Sequence, residues 1–207
     1  MSRIIAGSRR GRRIAMPPGD RTRPTSDRVR EALFSAITAW AGTAGAPAER
    51  SLAGVAFCDL YAGSGAVGLE AASRGASPVL LIERERRTAQ LTRANAEVLG
   101  LAVEIITAPV EQVLRRPAAH RFDVVFADPP YELDSGTVSA QLAQLVANAW
   151  VGTGSLIVVE RSRRTPALVW PEAAANCWTR AYGETILSFG ALEQSSNGPA
   201  PDRAPPC

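Results

Sequence analysis

The chain has 207 residues, 46% of them hydrophobic and 21% charged, which is typical of a globular protein with one full core. It contains no run of about 18 apolar residues and no apolar secretion signal at its start. Its three cysteines and single histidine supply neither a disulfide framework nor a zinc site, so we expect a cytoplasmic protein with no membrane span and no metal.

The formal net charge of +3 is unevenly distributed along the chain. Residues 1–40 carry nine arginines and three acidic residues, whereas the remainder carries 14 arginines and 17 acidic residues. A basic arm therefore precedes a mildly acidic body. Such an arm usually contacts a polyanion, and a solvated terminus is the alternative.

The amino-terminal part is predicted to contain a hairpin and a helix. Two short apolar segments around a Gly/Ser/Arg turn within residues 1–24 favour a β-hairpin. Capping side chains at 25–27 and apolar residues at helical spacing predict an amphipathic helix over 27–40. The small residues that follow at 41–51 are typical of a linker.

From residue 52 strands and helices alternate, which predicts a Rossmann-like α/β fold with helices on both faces of a mostly parallel seven-stranded sheet. The predicted strands are 55–60, 78–83, 103–107, 122–127 and 155–160, and the predicted helices are 66–74, 86–99, 110–115 and 137–150. Two further segments, 178–182 and 185–189, flank a hairpin turn, so we expect the last strand to be antiparallel. The expected divisions are a basic extension, a linker, an α/β domain and a disordered Pro-rich tail: 1–40, 41–51, 52–192 and 193–207.

A glycine-rich turn between the first strand and the first helix of the alternating region predicts an adenosine-cofactor site. Asp59 ends the strand, and Ala-Gly-Ser-Gly follows at 62–65. Glycines let the backbone approach a ligand closely, and the helix N-terminus adds a favourable dipole. The pattern also fits a dinucleotide fingerprint, with Glu83 where a ribose-binding acid is expected, so a nicotinamide- or flavin-dependent enzyme is one interpretation.

Asp59 favours a different cofactor. A carboxylate at the end of this strand would repel a pyrophosphate, but it suits S-adenosylmethionine (SAM), which carries an ammonium and a sulfonium and no phosphate. We therefore predict SAM as the cofactor. The predicted cofactor-binding residues are Asp59, Tyr61, Ala62, Gly63, Ser64, Gly65, Glu83, Arg84, Val110 and Glu111.

The segment Asp128-Pro129-Pro130-Tyr131 follows the strand predicted at 122–127 and is the predicted catalytic segment. An exocyclic amine of a nucleobase is a poor nucleophile, because its lone pair is delocalised into the ring. Asp128 and the Pro129 carbonyl can accept its N–H bonds and aim that lone pair at a methyl donor. The two prolines stiffen the loop, and Tyr131 offers a face on which a base can stack.

The chain resembles the RsmD family of SAM-dependent 16S ribosomal RNA guanine-N2 methyltransferases. The Asp-Pro-Pro-Tyr segment matches amino-group methyltransferases in general, while RIIAG at 3–7, TRPTSDRVREALF at 22–34 and DLYAGSG at 59–65 match this family. The resemblance covers residues 3–192. It implies methyl transfer from SAM to N2 of a guanine of the 966 type, on an assembled or assembling small ribosomal subunit, by a monomer.

The resemblance assigns the basic arm to ribosomal RNA, whose phosphates arginines neutralise. The expected RNA-binding residues are Arg3, Arg9, Arg10, Arg12, Arg13, Arg21, Arg23, Thr25 and Arg28. Three alternatives stay open. They are a DNA adenine-N6 or protein glutamine methyltransferase with the same site chemistry, a nicotinamide-dependent oxidoreductase, and a non-catalytic RNA-binding module.

Overall fold

The computed structural model describes residues 2–17 and 26–193. The helices are α1 Asp27–Trp40, α2 Ala66–Ser73, α3 Arg86–Leu99, α4 Val110–Leu114 and α5 Ser135–Ala147. The strands are β1 Ser2–Arg3, β2 Arg13–Ile14, β3 Phe57–Asp59, β4 Val79–Glu83, β5 Glu104–Thr107, β6 Val124–Ala127, β7 Leu156–Ser162, β8 Asn176–Tyr182 and β9 Thr185–Ala191. None of the helices in these ranges is long and apolar enough to cross a membrane.

Seven strands form one sheet in the order β5-β4-β3-β6-β7-β9-β8, while β1 and β2 pair as a separate antiparallel hairpin. Neighbours from β5 to β7 are parallel, and β9 runs antiparallel to both of its neighbours. The predicted α/β fold and its antiparallel last strand are therefore confirmed. The strand order reverses between β3 and β6, and in such sheets a ligand binds outside the carboxyl ends of the strands at this point.

Helices cover both faces of the sheet, because successive side chains of a strand point to opposite sides. Phe57 of β3 packs in a cluster with Leu33 and Phe34 of α1, whereas the adjacent Cys58 packs with Leu142 of α5 on the other face. The buried strands are apolar on both faces for this reason, as parallel strands usually are.

The predicted helix boundaries agree with the structure where local signals are strong. The helix predicted at 27–40 coincides with α1. The helix predicted at 137–150 begins two residues earlier, after the capping side chain of Asp134, and ends at Ala147. Trp150 lies beyond it, 5% exposed, with its indole N–H donating to the Arg116 carbonyl at 2.9 Å. The helix was predicted too long because Trp150, although buried, lies after the end of the helix.

The segment 41–51, expected to be a linker, is mostly exposed but has local structure of its own. It contains a short 3-10 helix at Ala48–Arg50, and the Thr43 hydroxyl donates to the Ser51 carbonyl at 2.6 Å. Leu52, which follows it, is fully buried. The division of the chain into an extension and a domain stays a prediction, and the expected tail lies outside the described residues except for Glu193.

The hairpin formed by β1 and β2 is packed onto α2 and α3. Ile4 and Ile14 are 0% and 2% exposed and lie in one cluster with apolar residues of both helices. Gly7 in the connecting turn has a φ of +86°, and an added Cβ would overlap the backbone carbonyl of Ser73. Only glycine fits this position without moving the backbone.

Buried charges tie the hairpin to the helices beneath it. The fully buried carboxylate of Glu70 accepts the backbone N–H groups of Ile5 and Ala6 at 2.6 and 2.9 Å and pairs with Arg74 at 2.9 Å. Arg30 of α1, also fully buried, donates to the hydroxyl and carbonyl groups of β1. Detaching the hairpin would leave these buried charges uncompensated, which is costly. The hairpin is therefore an integral part of the fold.

Candidate active site

Asp59 lies at the end of β3, at the point where the strand order reverses, and is 1% exposed. Its Oδ2 atom accepts the backbone N–H of Gly68 in the first turn of α2 at 3.0 Å. Its Oδ1 atom is buried and has no hydrogen-bond partner among the described residues. Burial is the main cause that raises the pKa of Asp59 to about 7; the backbone N–H groups of Gly68 and Tyr61 oppose this shift, and the charge of Glu83 adds to it.

The two glycines of the turn serve different purposes. Gly65 has a φ of +83°, and an added Cβ would lie 2.7 Å from a methyl group of Thr92, so it lets the turn pack against α3. Gly63 has a φ of +53°, and an added Cβ would meet nothing nearer than a backbone oxygen at 4.0 Å. The outer side of the turn at Gly63 is therefore open to a ligand.

Glu83 ends the neighbouring strand β4 and holds the turn in place. One carboxylate oxygen accepts the Gly63 N–H at 3.0 Å and the other accepts the Glu85 N–H at 2.7 Å. Burial is the main cause that raises the pKa of Glu83. Each oxygen keeps a second lone pair, so the same carboxylate can also accept ribose hydroxyls.

This set of groups fits a cationic adenosine cofactor and does not fit a dinucleotide. A buried carboxylate oxygen without a partner is costly, so Asp59 Oδ1 indicates a ligand that donates hydrogen bonds or carries positive charge. A pyrophosphate would instead meet the charges of Asp59 and Glu83. It would also find the Gly68 N–H of α2 already bound to Asp59.

The remaining predicted cofactor residues surround this turn. Ala62 and Ser64 are buried within it, and exposed Arg84 follows Glu83. The Tyr61 hydroxyl donates to Gln141 of α5 at 2.6 Å, and burial is the main cause that raises the pKa of Tyr61 to about 12.

Two predicted cofactor-binding residues, Val110 and Glu111, lie at the start of α4, where the adenine of a bound cofactor would be expected. The Val110 side chain is 4% exposed and packs into the core, so only its backbone is available to an adenine. Glu111 is exposed, and its charge contributes to the raised pKa of Tyr61, so it lies at the edge of the same crevice.

The Asp128–Tyr131 loop follows β6 directly and is held from below by Arg161. Pro129 is buried, Asp128 is half-buried and Tyr131 is 64% exposed. The Arg161 guanidinium, almost fully buried, donates to the carbonyls of Pro130 at 3.4 Å and Leu133 at 2.6 Å. Burial lowers the pKa of Arg161, and the nearby charge of Asp128 opposes this shift.

Two adjoining cavities open beside Tyr131, with volumes of about 340 and 140 Å³. The larger is also lined by Ser162 and Arg164, and the smaller by Glu160 and the start of α1; the turn between β8 and β9 borders both. The smaller cavity thus brings Tyr131 of the Asp128–Tyr131 loop, Glu160 of β7 and the start of α1 together. A planar ring stacked on Tyr131 would enter this space.

The structure separates the expected RNA-binding residues into three groups. Exposed guanidinium groups belong to Arg10, Arg12, Arg13 and Arg28, and to Arg3, which pairs with Asp27 at 3.3 Å. The side chain of Arg9 instead donates to the carbonyls of Leu99 and Gly100 at the C-terminus of α3, which is a structural contact. Arg21, Arg23 and Thr25 lie outside the described residues.

Asn95 of α3 links the hairpin to the glycine turn and was missed from the sequence. Its amide donates to the carbonyls of Ser64 and Ala15 at 3.0 Å each and accepts the Ala15 N–H at 3.0 Å. No sequence signal marks it. Arg30 and Arg161 were expected at the surface, Arg30 on a solvated helix face and Arg161 in an exposed loop or on an RNA surface, but both are buried. Arg30 stands on the apolar stripe of α1, three residues before Leu33.

Known proteins share both the sequence and the fold of this chain. The family model described as Conserved hypothetical protein 95 matches residues 2–191. The ribosomal RNA small subunit methyltransferase D of Haemophilus influenzae is 33% identical over 193 residues, which cover 90% of this chain and 91% of that protein. A solved hypothetical protein of Thermus thermophilus is 30% identical, with a TM-score of 0.75 over 93% of this chain and 100% of that chain.

A more distant structure shares the fold alone. It is the 16S rRNA N2 methyltransferase RsmC of Thermus thermophilus, solved with AdoMet and guanosine, at 17% identity and a TM-score of 0.62 over 86% of this chain and 46% of that chain. The family match, by contrast, extends over the hairpin and the sheet together. The chain therefore belongs to the RsmD family of ribosomal RNA methyltransferases.

Proposed function

We propose that this protein transfers the methyl group of SAM to the exocyclic N2 of a guanine of the 966 type in 16S ribosomal RNA. The observation that carries the proposal is the pairing of two features at the strand-order reversal. One is the buried, partnerless Oδ1 of Asp59 beneath the glycine turn, and the other is the Asp128–Tyr131 loop at the end of the adjacent strand β6. A cation-binding carboxylate and an amine-orienting loop thus lie side by side.

The cofactor, when bound, supplies an electrophilic methyl group on a sulfonium. Asp59 Oδ1 would accept a hydrogen bond from its ammonium, the open side of the turn at Gly63 would admit its methionine part, and Glu83 would accept hydrogen bonds from its ribose hydroxyls. These contacts fix the position of the donor relative to β6. Holding two reactants in line in this way removes much of the entropic part of the barrier.

The Asp128–Tyr131 loop prepares the nucleophile. Asp128 and the Pro129 carbonyl accept the N–H bonds of N2, which turns its lone pair out of conjugation with the ring. Tyr131 stacks on the base, and Arg161 keeps the loop in place through the Pro130 and Leu133 carbonyls. As the N–C bond forms, N2 becomes positively charged, and the proton facing Asp128 leaves along that hydrogen bond.

The distribution of exposed arginines supports a large RNA substrate. Those of the hairpin lie on one side of the fold, whereas Arg164 lines the larger cavity beside Tyr131 and Arg163 lies next to it in the chain. Basic groups distributed in this way suit a folded ribonucleoprotein surface. The relative from Haemophilus influenzae is named for the small subunit. We therefore propose that the substrate is an assembled or assembling small subunit and that the enzyme acts as a monomer.

The test is labelling with tritiated SAM. Small subunits and naked 16S ribosomal RNA from cells that lack the activity are incubated with the protein, and the labelled base is mapped. We expect label on N2 of one guanine, with particles labelled in preference to naked RNA. Asp128→Ala should abolish transfer while SAM binding, measured by calorimetry, is retained. Label on another base, or on none, would overturn the proposed function.

A further inference from the structure

We propose that Glu160 selects guanine as the target base, by accepting its N1–H and one N2–H while Asp128 accepts the other N2–H. The inference rests on the proposed function and deepens it. The Asp-Pro-Pro-Tyr segment orients an exocyclic amine but does not distinguish the amine of guanine from that of adenine. The structure assigns that distinction to a carboxylate on the neighbouring strand.

The position of Glu160 follows from the register of the sheet. Val159 of β7 pairs with Ala127 of β6, so the next residues, Glu160 within β7 and Asp128 just after β6, stand side by side. Val158 packs with the α1 cluster and Val159 with the α5 cluster, so Glu160 turns back to the α1 face.

Glu160 lines the smaller cavity, as Tyr131 does. Glu160 is 8% exposed, so hydrogen bonds to its carboxylate would form largely away from bulk water, where they are stronger. The other carboxylate at this cavity, that of Glu184, is 62% exposed and pairs with Arg164 at 3.5 Å. Glu160 is therefore the acid that a base stacked on Tyr131 would meet within the cavity.

The hydrogen-bond pattern of the bases explains the selection. Guanine presents N1–H and N2–H as adjacent parallel donors, and an ionised carboxylate accepts such a pair in a bidentate, charge-assisted manner. Adenine presents an acceptor at N1, which would face one carboxylate oxygen and leave that oxygen without a donor. Stacking on Tyr131 cannot make this choice, because every base has a π-face.

The arrangement also accounts for the atoms of the transfer. The bond between N2 and the methyl carbon forms as the sulfur–methyl bond breaks, and the sulfur keeps the electron pair. The proton lost is the one that faced Asp128. The product keeps N1–H and one N2–H, so Glu160 holds the same two donors before and after the reaction.

The experiment combines a variant with a modified base. Small subunits are reconstituted with guanine, 1-methylguanine or adenine at the target position, and kcat/KM is measured for the wild type and for Glu160→Gln. The amide keeps the shape of the side chain, but it has only one acceptor oxygen for the two donors of guanine, N1–H and N2–H. We expect a loss of about 100-fold for this variant on guanine, as for two hydrogen bonds to a charged group.

The modified base reports on the same contact without any change to the protein. The kcat/KM of the wild type should fall by a similar factor when 1-methylguanine replaces guanine. The kcat/KM of Glu160→Gln should fall by less than about threefold on the same replacement, because this variant has already lost the contact. SAM affinity, measured by calorimetry, should be unchanged in the variant. Glu172→Gln, the same change in an exposed residue of the loop before β8, is the matched control and should behave as the wild type.

Three outcomes would overturn the assignment. A wild type that methylates 1-methylguanine at the normal rate has no carboxylate at N1, and this result holds even if the variant does not fold. A folded Glu160→Gln that methylates guanine normally also removes Glu160 from base selection, while the proposed function stands. A wild type that methylates adenine, or no base, overturns the proposed function and this inference together.

Discussion

Arg161→Met tests whether the Asp128–Tyr131 loop, the proposed catalytic loop, depends on the guanidinium beneath it. Methionine keeps most of the aliphatic length of arginine but removes the donors to the Leu133 carbonyl at 2.6 Å and the Pro130 carbonyl at 3.4 Å. The loop that carries Asp128 then loses its lower support. The glycine turn at 62–65 is held by Glu83 and Asn95 instead, so it should keep its shape.

The size of the effect follows from these two bonds. A hydrogen bond to a charged donor contributes about 1.5–3 kcal/mol, and the longer bond to Pro130 lies near the limit of useful geometry. If the shorter bond accounts for most of the loop's order, kcat should fall by about 10–100-fold. The free energy of unfolding should change by less than about 1 kcal/mol, because removing Arg161 also removes the cost of burying its charge and its unpartnered Nε.

The assay measures kcat, the KM for SAM and the urea midpoint of the same preparation. Arg161→Lys is the companion variant, since an ammonium can reach one of the two carbonyls and should restore part of kcat. An unchanged kcat would refute the positioning role. A large fall in the urea midpoint with a proportionate loss of all activities would show that Arg161 acts only through stability.

Three further predictions concern the cofactor turn and the hairpin. Because the pKa of Asp59 is raised to about 7 and only its ionised form attracts an ammonium, SAM affinity in calorimetry should fall by up to about tenfold per pH unit below that value, and Asp59→Asn should flatten the profile; a flat wild-type profile would contradict this. Glu70→Gln should lower the free energy of unfolding in urea by about 3 kcal/mol, because it leaves Arg74 and the hairpin amides without their carboxylate, and an unchanged midpoint would be inconsistent with the hairpin's attachment. Replacing Arg10, Arg12 and Arg13 with glutamine should reduce the slope of log affinity against log salt for RNA by about 2, from about 0.7 per phosphate contact, and an unaltered slope in filter binding would mean that these groups face away from RNA.

Elements set by local chemistry could be predicted from the sequence. The apolar spacing and the capping serine indicated both ends of α1, and the alternation of strands and helices indicated the sheet. The glycine turn and the Asp128–Tyr131 loop were found because their residues are adjacent in sequence and follow strands whose carboxyl ends meet at one edge.

Contacts between distant segments could not be predicted in this way. Arg9 was expected to contact RNA, but it donates to the end of α3, some 90 residues away. Asn95 bonds to Ala15, 80 residues earlier, and nothing in either neighbourhood indicates the other. Arg30 has a charge that predicts exposure to solvent, but its position on the apolar stripe of α1 predicts burial, and it is buried. Here helical spacing was a better guide to burial than residue type.

The alternation of Glu160 and Arg161 on β7 has a consequence for how this fold can change in length. One residue faces the cavity beside Tyr131 and the next supports the loop from the α5 side. Because side chains alternate with a period of two, inserting or deleting a single residue within β7 would exchange the two groups, placing a cation in the cavity and a carboxylate against backbone carbonyls. Natural and engineered length variation should therefore be excluded from this strand and tolerated in the loop between β7 and β8, where no such alternation has to be kept.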